Sequence, residues 1–247
     1  MAERVHARPA LDFLASPEQQ DTCKGRQLQL MLTVRYRSIL MRRMRDRMIK
    51  IVTKDNAERY VGSLYQMHRI RRTVFKDRLG WDVTVSGELE VDEYDALGPS
   101  YLLSIDRYGN LNGCVRLLPT TGPNMLRDIF PSFVTKAAVP CDERVWEASR
   151  FAVSGSSTAA EPGISQTTYD LLIGVVKFGL SKGISMVVCV VDMRMERILR
   201  RAGWQLERLG PAHRIGNTIA IAGQLEVSAQ ILGQLEGRAG LAHAAAA

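Results

Sequence analysis

The chain has 247 residues, of which 46% are apolar and 24% charged, a composition typical of one globular domain with a sizeable core. It contains no run of about eighteen uncharged apolar residues, which excludes an apolar membrane-spanning helix. The first residues also lack the apolar core of a signal peptide. We therefore expect a soluble protein of the cytoplasm.

The net charge of +7 is distributed unevenly along the chain. Residues 1–47 hold ten Lys/Arg and five Asp/Glu, whereas the rest holds 23 basic and 21 acidic residues. Within this basic N-terminal extension, apolar residues between 36 and 44 could line one face of a short helix at 34–47. Such a helix would suit an acidic partner or a membrane surface. A solvated arm, or an upstream translation artefact ahead of Met48, explains the composition as well.

The four cysteines are irregularly spaced and form no CxxC pair or His-flanked metal site. They are Cys23, Cys114, Cys141 and Cys189. We expect reduced, mostly buried thiols and no bound metal.

From Met48 onward, strand and helix patterns alternate. In the first half the expected elements are a strand at Ile49–Val52, a helix capped by Asp55 or Asn56 and running to about Val74, strands at Tyr101–Asp106 and Gly113–Leu118, and a short helix from Met125. In the second half they are a strand at Val145–Val153, a helix from Ser165 to about Lys182, a buried strand at Met186–Val191, a helix at Met195–Ala202 ended by Gly203, and strands at Trp204–Leu209 and Arg214–Ala222. This pattern predicts an α/β three-layer sandwich with a mixed, twisted sheet over residues 48–237. The Ala-rich tail, residues 238–247, is expected to be frayed.

Charged residues gather at the ends of these apolar runs. Three arginines and three carboxylates balance in sign: Arg71, Arg116, Arg150, Asp92, Asp95 and Glu147. Surface ion pairs, worth about 0 to 1 kcal/mol each, would explain them without any function. However, Arg116 and Arg150 flank predicted strands rather than exposed helix faces, which favours a functional cluster.

The motifs around these residues resemble a known family. They are Arg71-x-x-x-Phe75 with Arg78-Leu79-Gly80-Trp81, Glu90-x-Asp92-x-Tyr94-Asp95, Arg116 to Pro123, Phe130-Pro131, and Trp146-Glu147-x-x-Arg150-Phe151. In this combination and order they are similar to the signature blocks of the bacterial acyl-homoserine-lactone synthases, the autoinducer synthases of quorum sensing. The resemblance covers about residues 48–225.

That resemblance implies an acetyltransferase-like (GNAT-like) fold and an acyltransferase activity. The enzyme would transfer a fatty acyl group from acyl carrier protein, or from coenzyme A, to the amino group of S-adenosylmethionine. The acylated product would then lactonise and expel methylthioadenosine. S-adenosylmethionine is a substrate here, and the resemblance implies no cofactor and no metal.

By the same resemblance, an N-terminal flap carrying Arg71, Phe75 and Trp81 covers S-adenosylmethionine, whose adenine and sulfonium suit aromatic rings. The expected substrate-binding residues are Arg71, Phe75, Trp81, Asp92, Asp95, Arg116 and Phe130. Asp92 and Asp95 would orient the flap through Arg71 and Arg150, and Arg116 would support the pocket.

Glu147 is the candidate general base for the substrate amine, with Arg150 beside it keeping it ionised. Met125, Leu126 and Cys189 are candidates for the acyl pocket, although ordinary core packing explains each of them equally well. In the family, a threonine at the approximate position of Cys189 accompanies 3-oxo substrates. We therefore expect an unsubstituted or 3-hydroxy chain.

Two other functions compete with this interpretation. A general GNAT acetyltransferase using acetyl-CoA would carry a Gly-rich Q/R-x-x-G-x-G/A turn after a strand, which this sequence lacks. A nucleic-acid-binding protein would carry a basic stripe with interleaved aromatics, which the body of the chain also lacks.

Basic residues on the two later helices could instead steer acidic acyl carrier protein. They are Lys177, Lys182, Arg194, Arg197, Arg200 and Arg201. Solvated helix faces explain them equally well.

Overall fold

The structure is a computed structural model that describes residues 47–155 and 163–245. The basic helix predicted within residues 34–47 falls, except for Arg47, outside the described residues, as does the rest of the extension at 1–46.

Ten strands are present in the described part of the chain. They are β1 (Arg47–Val52), β2 (Val85–Ser86), β3 (Leu89–Glu90), β4 (Ser100–Asp106), β5 (Leu111–Pro119), β6 (Val145–Val153), β7 (Met186–Asp192), β8 (Glu207–Arg208), β9 (His213–Ile215) and β10 (Thr218–Glu226). β2 and β3 form a separate hairpin, and the other eight strands form one sheet in the order β1-β4-β5-β6-β7-β10, with β8 and β9 both paired to β10. Among these described pairs β6 and β7 are parallel and the others antiparallel, so the predicted mixed sheet is confirmed.

Helices occupy both faces of this sheet. The α-helices are α1 (Val61–Arg71), α2 (Met125–Asp128), α3 (Gln166–Ser181), α4 (Met193–Ala202) and α5 (Ala229–Ala245). α1 continues directly into a π-helix at Arg72–Arg78, and short 3₁₀ turns lie at Ala57–Tyr60, Glu93–Leu97 and Pro131–Phe133.

Two apolar clusters, one on each face, make the three layers. Adjacent strand residues alternate between them: Leu102 packs with α3 and α5, whereas Leu103 packs with Met67 and Phe75 beneath α1 and the π-helix. This alternation is the period of a strand covered on both sides. The predicted three-layer sandwich is therefore confirmed.

Local signals set several element boundaries. Ser165 accepts a hydrogen bond from the Thr168 amide and begins α3, and Gly203, with φ of 86°, ends α4, both as predicted. The first helix differs from its prediction, because the chain stays helical past Val74 by widening into the π-helix.

Three C-terminal predictions are wrong. The strand expected at Trp204–Leu209 is limited to β8 at Glu207–Arg208. The single strand expected at Arg214–Ala222 is broken into β9 and β10 by a turn at Gly216, where φ is 52° and a Cβ would collide with the carbonyl oxygen of Gly80. The tail expected to fray from residue 238 continues α5 as far as Ala245. Ala239 is buried in the core, and such packing stabilises a helix whose isolated sequence looks weak.

The parallel pair β6 and β7 separates along its length. Their register runs from Val145 opposite Met186 to Glu147 opposite Val188, and the two strands then continue to Val153 and Asp192 without pairing to each other. The fold thus opens a gap in the middle of the sheet, directly after Glu147.

Candidate active site

A buried network of charges lies beside this gap on the α1 face. Arg71, at the end of α1, is fully buried. Its Nη1 and Nη2 atoms donate to Oδ1 and Oδ2 of Asp95 at 2.7 and 2.9 Å, and its Nε donates to Glu90 at 2.5 Å. The forked guanidinium therefore holds one carboxylate at the end of β3 and one in the 3₁₀ turn that follows the β2–β3 hairpin.

Arg116 brings the central strand β5 into the same network. It is fully buried, and its Nη1 lies 2.5 Å from Asp92 Oδ1 and 2.9 Å from Asp95 Oδ1. Its Nε donates to the Ser149 hydroxyl on β6 at 3.1 Å. The residue thus joins two sheet strands to the acidic segment.

Arg150 joins the network from β6. Its Nε lies 2.9 Å from Glu90 Oε1, its Nη2 lies 2.8 Å from Asp92 Oδ2, and its guanidinium stands 5.2 Å above the ring of Phe75. Its backbone has φ of 55°, the one positive φ of a non-glycine residue in the described chain. The β5–β6 register slips here, from Cys114 opposite Ala152 to Arg116 opposite Ser149. A bulge therefore aims this side chain into the network.

The acidic segment is shaped by its own sequence. Asp92 caps the 3₁₀ turn by accepting from the Tyr94 amide, while Asp95 accepts from the Asp92 amide at 2.9 Å. This reciprocal capping box orients both carboxylates through hydrogen bonds within their own segment, in addition to those from the arginines.

Electrostatics follow from this enclosure. Burial opposes ionisation of Asp95, but the hydrogen bonds and charge of Arg71 and Arg116 outweigh it and hold the pKa of Asp95 below its ordinary value. Burial likewise works against the charge of Arg71, yet Asp95 and Glu90 raise its pKa. Arg150 differs, because burial lowers its pKa despite Glu90 and Asp92.

Glu147 does not belong to this network, contrary to the expected set of three arginines and three carboxylates. Its carboxylate accepts from the backbone amides of Met125 at 3.2 Å and Leu126 at 2.6 Å, at the start of α2. Burial raises the pKa of Glu147, and the cation that opposes this shift is Arg116 rather than Arg150. The expectation that Arg150 keeps Glu147 ionised is therefore wrong, because Arg150 is turned to Glu90 and Asp92.

Glu90 is the residue that takes the third acidic place, and the sequence pattern alone did not single it out. It is fully buried and bridges Arg71 and Arg150, while its carbonyl oxygen lies 2.8 Å from His68 Nδ1. The signal that could have found it is its spacing in Glu90-x-Asp92-x-Tyr94-Asp95, which places it two residues before a candidate aspartate.

The aromatic candidates divide into two groups. Phe75 and Trp81 are buried neighbours with ring centroids 5.6 Å apart, and the Trp81 indole donates to the Thr218 hydroxyl at 2.9 Å. Phe130 is half-buried, packs 5.3 Å from Phe133, and adjoins Met125. Phe75 contacts the charged network directly through Arg150.

The three acyl-pocket candidates do not come together. Met125 belongs to the charged site, since its sulfur lies 3.2 Å from Arg116 Nη2 and 3.1 Å from Arg150 Nη1. Leu126 packs in the cluster beneath α1, whereas Cys189 packs in the cluster on the opposite face. The sheet separates them because successive residues of a strand point to opposite faces.

The described cysteines Cys114, Cys141 and Cys189 are free thiols, and the first and last are buried as expected. Burial raises the pKa of both buried thiols to about 12. The remaining cysteine, Cys23, lies outside the described residues.

The six basic candidates for carrier docking are all exposed. Lys177 on α3 is paired with Glu236 of α5 at 2.8 Å. The four arginines lie on α4, so the candidates occupy two helices on the face opposite α1.

Comparison with known proteins identifies the family. The family model described as autoinducer synthase matches residues 55–235. The chain belongs to the autoinducer synthase family. It is 43% identical over 179 residues to an acyl-homoserine-lactone synthase of Agrobacterium fabrum, covering 72% of this chain and 85% of the relative. It is 38% identical over 169 residues to one of Pseudomonas aeruginosa, covering 68% and 84%.

Solved structures agree with this autoinducer synthase assignment. The crystal structure of the AHL synthase LasI aligns with a TM-score of 0.69 and 35% identity, over 77% of this chain and 95% of that one. The CoA-dependent acyl-homoserine lactone synthase BjaI, solved with SAM and isopentyl-CoA, aligns with a TM-score of 0.70 and 28% identity, over 78% and 90%. The GNAT-like fold and the acyl-homoserine-lactone synthase activity expected from the motifs are thus confirmed.

Two features are absent from the described part of the chain, a membrane-spanning helix and a cluster of metal ligands. No helix there combines the length and apolarity needed to cross a membrane. Within 47–155 and 163–245, no three His, Cys, Asp or Glu side chains converge as metal ligands do.

Proposed function

We propose that this synthase makes an N-acyl-L-homoserine lactone from S-adenosyl-L-methionine and a fatty acyl thioester carried by acyl carrier protein or coenzyme A. The observation that carries the proposal is the buried network of Arg71, Arg116 and Arg150 with three carboxylates, set beside the gap between β6 and β7. The charged network suits a zwitterionic acceptor such as S-adenosylmethionine. The gap between the two strands beside it suits an acyl donor.

S-adenosylmethionine carries a sulfonium, an ammonium, a carboxylate and an adenine, so its site needs both signs of charge and aromatic faces. The network supplies the charges, and Phe75 and Trp81 supply ring faces at its edge. Phe130 lies next to Met125 at the far side of the network. We assign these side chains to the S-adenosylmethionine pocket.

The acyl thioester enters the gap where β6 leaves β7, after Glu147 and Val188. Strand edges that lack a partner present backbone amides, and such donors stabilise the oxyanion of a tetrahedral intermediate. The relative BjaI was solved with SAM and isopentyl-CoA together, which supports paired sites for an acceptor and an acyl donor. Here the fatty chain passes toward Cys189 on the face of α3, away from the charges around Met125.

Glu147 accepts the proton that the substrate ammonium must lose, directly or through a water. Its position at the start of the gap suits this role, and a base works best with a pKa near the working pH. Burial moves the pKa of Glu147 upward, in that direction. The two backbone amides that bind its carboxylate keep it oriented.

The two chemical steps balance without a cofactor. The free amine attacks the thioester carbonyl, forms the amide and releases the carrier thiol, which takes a proton. The substrate carboxylate then attacks the carbon next to the sulfonium, closes the lactone and expels neutral methylthioadenosine. Because both substrates are metabolites of the cytoplasm, we place the synthase there.

The test is direct. Purified synthase is incubated with S-adenosylmethionine and octanoyl thioesters of acyl carrier protein or coenzyme A, and products are identified by mass spectrometry. We expect N-acyl-homoserine lactone and methylthioadenosine in equal amounts. Folded protein that yields neither with a series of acyl lengths from four to eighteen carbons would defeat the proposal.

A further inference from the structure

A cavity of about 590 Å³ lies outside the charged network. It is bounded by the side of α1 and the π-helix that carries Arg69, Arg72 and Arg78, by Val153 at the end of β6, and by Gly155 just after it. Arg71 and Phe75 face the network instead, so consecutive residues of the helix serve two different sites. Consecutive residues of a helix point about 100° apart, so neighbours can reach different sites. The π-helical winding at Arg72–Arg78 is of a kind that often occurs at functional sites.

The described residues that line this cavity carry more positive than negative charge. Glu88 is the one carboxylate among them, and it already pairs with Arg69 at 3.2 Å. Neither Arg72 nor Arg78 forms a salt bridge with a carboxylate of the described residues, and Arg72 Nε is buried without a hydrogen-bond partner there. Partial burial and nearby Arg194 lower the pKa of Arg78, although Asp192 opposes the shift. Arg72 therefore has no carboxylate partner among the described residues, and Arg78 has Asp192 only beyond salt-bridge distance, so a bound anion would supply counter-charge to both.

The distance from the start of the gap to the cavity matches the length of a pantetheine arm, the group that carries the acyl thioester. Val153 lies five residues beyond Ala148, the first residue of β6 past the pairing with β7, and five residues of strand span about 17 Å. In a pantetheine arm, thirteen bonds and two amides separate sulfur from phosphorus, equivalent to about four extended residues or ~15 Å. A thioester held at the start of the gap would thus place its phosphate at the cavity.

General GNAT acetyltransferases hold a pyrophosphate with a Gly-rich turn, and no such turn follows a strand in this chain. Guanidinium groups are an alternative, because their planar donors match phosphate oxygens.

We propose that Arg72 and Arg78 bind the phosphate of the phosphopantetheine arm that carries the acyl group. The inference rests on the proposed function, and it adds the site that recognises the donor's phosphate. The same chemistry occurs in acyl carrier protein, as a phosphodiester, and in coenzyme A, as a pyrophosphate.

The experiment compares the synthase with its R72Q/R78Q variant, and with K76Q as a control for an exposed cation on the same π-helix that does not line the cavity. Octanoyl-pantetheine, which lacks phosphate, is tested beside octanoyl-phosphopantetheine, octanoyl-CoA and octanoyl-carrier protein. We expect KM to rise about tenfold or more for donors with phosphate, the scale of one charge-assisted hydrogen bond. KM should stay unchanged for octanoyl-pantetheine and for S-adenosylmethionine, and K76Q should behave as the parent.

If KM rises for only one of the two donors, octanoyl-carrier protein or octanoyl-CoA, the result supports the proposal and identifies the source of the phosphate. Equal losses with and without phosphate, or no loss with any donor, would overturn it. Calorimetric binding of phosphopantetheine against pantetheine to the folded parent and variant tests the site without turnover. It therefore separates failure of this site from failure of the proposed function.

Discussion

Arg150 and Glu90 lie sixty positions apart in the chain, and they meet in the core with Arg150 Nε 2.9 Å from Glu90 Oε1. Glu90 also holds Arg71 at the end of α1, so one carboxylate joins the helix above the site to the bulged strand below it. Arg71 and the strand at the gap are therefore connected through a single buried carboxylate.

We predict that Glu90→Gln lowers the free energy of unfolding by about 3 to 5 kcal/mol, since it leaves two buried arginines short of charge. Chemical denaturation at pH 7 measures the change. Glu93→Gln, an exposed neighbour on the same segment, should change it by less than about 0.5 kcal/mol. Equal changes for the two substitutions would show that the buried ion pairs of Glu90 do not contribute to the free energy of unfolding.

Glu147→Gln should lower the rate of acylation by about 10²- to 10⁴-fold, because the amide cannot accept the ammonium proton. The parent enzyme should also lose activity as the pH falls through a pKa above the ordinary value for glutamate, since burial raises the pKa of Glu147. Single-turnover acylation at several pH values measures both effects. Wild-type rates in the variant would remove Glu147 from the role of base, and Glu143→Gln, an exposed control, should leave the pH profile unchanged.

Asp95 makes stability depend on acidic pH. Its pKa in the folded protein lies below the unfolded value of about 3.9, so its contribution is complete above that value and is lost as the pH falls toward the folded pKa. Asp95→Asn should therefore destabilise the protein by about 3 kcal/mol at pH 7 and flatten the decline below pH ~4. Unfolding curves of the two proteins that stay parallel with pH would contradict this, and exposed Asp77→Asn serves as the control.

The backbone of Arg150 predicts an unusual ranking of two truncations. At φ of 55° a side chain meets steric strain, so Arg150→Gly should be more stable than Arg150→Ala by about 1 kcal/mol. Both variants lack the guanidinium, and their difference thus reports the bulge alone. At Ala148, whose φ is not positive, replacement by glycine should destabilise by about 0.5 to 1 kcal/mol. A more stable alanine variant at position 150 would argue against the bulge.

The position of Cys189 predicts a change in product length. Cys189→Leu adds volume on the face where we place the acyl chain, so the lactones should become shorter. Cys114→Leu, the same change at a buried cysteine on the other face, should cost a similar ~1 to 3 kcal/mol of stability and leave chain length unaltered. Mass spectrometry of the product mixture decides the matter, and an identical length distribution in both variants would place the chain elsewhere.

Much of the fold and most of the site could be predicted from local patterns. The strand at Val145–Val153 agrees at both ends, and the helix after Ser165 begins at its expected cap. The capping box of Asp92 and Asp95 likewise depends on four consecutive residues only. Such features depend on side chains and backbone groups that are neighbours in the chain.

The resemblance predicted that Asp92 and Asp95 pair with Arg71 and Arg150, as they do, whereas the partners of Glu90 and Glu147 were decided by tertiary structure. The sequence marked Glu147 and Arg150 as neighbours, but a register slip in β6 turns Arg150 toward Glu90 and leaves Glu147 to the amides of α2. Charge type is carried by the residue itself, whereas the direction of a side chain depends on strand pairing and on bulges. For the same reason the motifs were sufficient to predict the family and its reaction. That the sheet separates Met125 from Cys189 could be seen only in the folded structure.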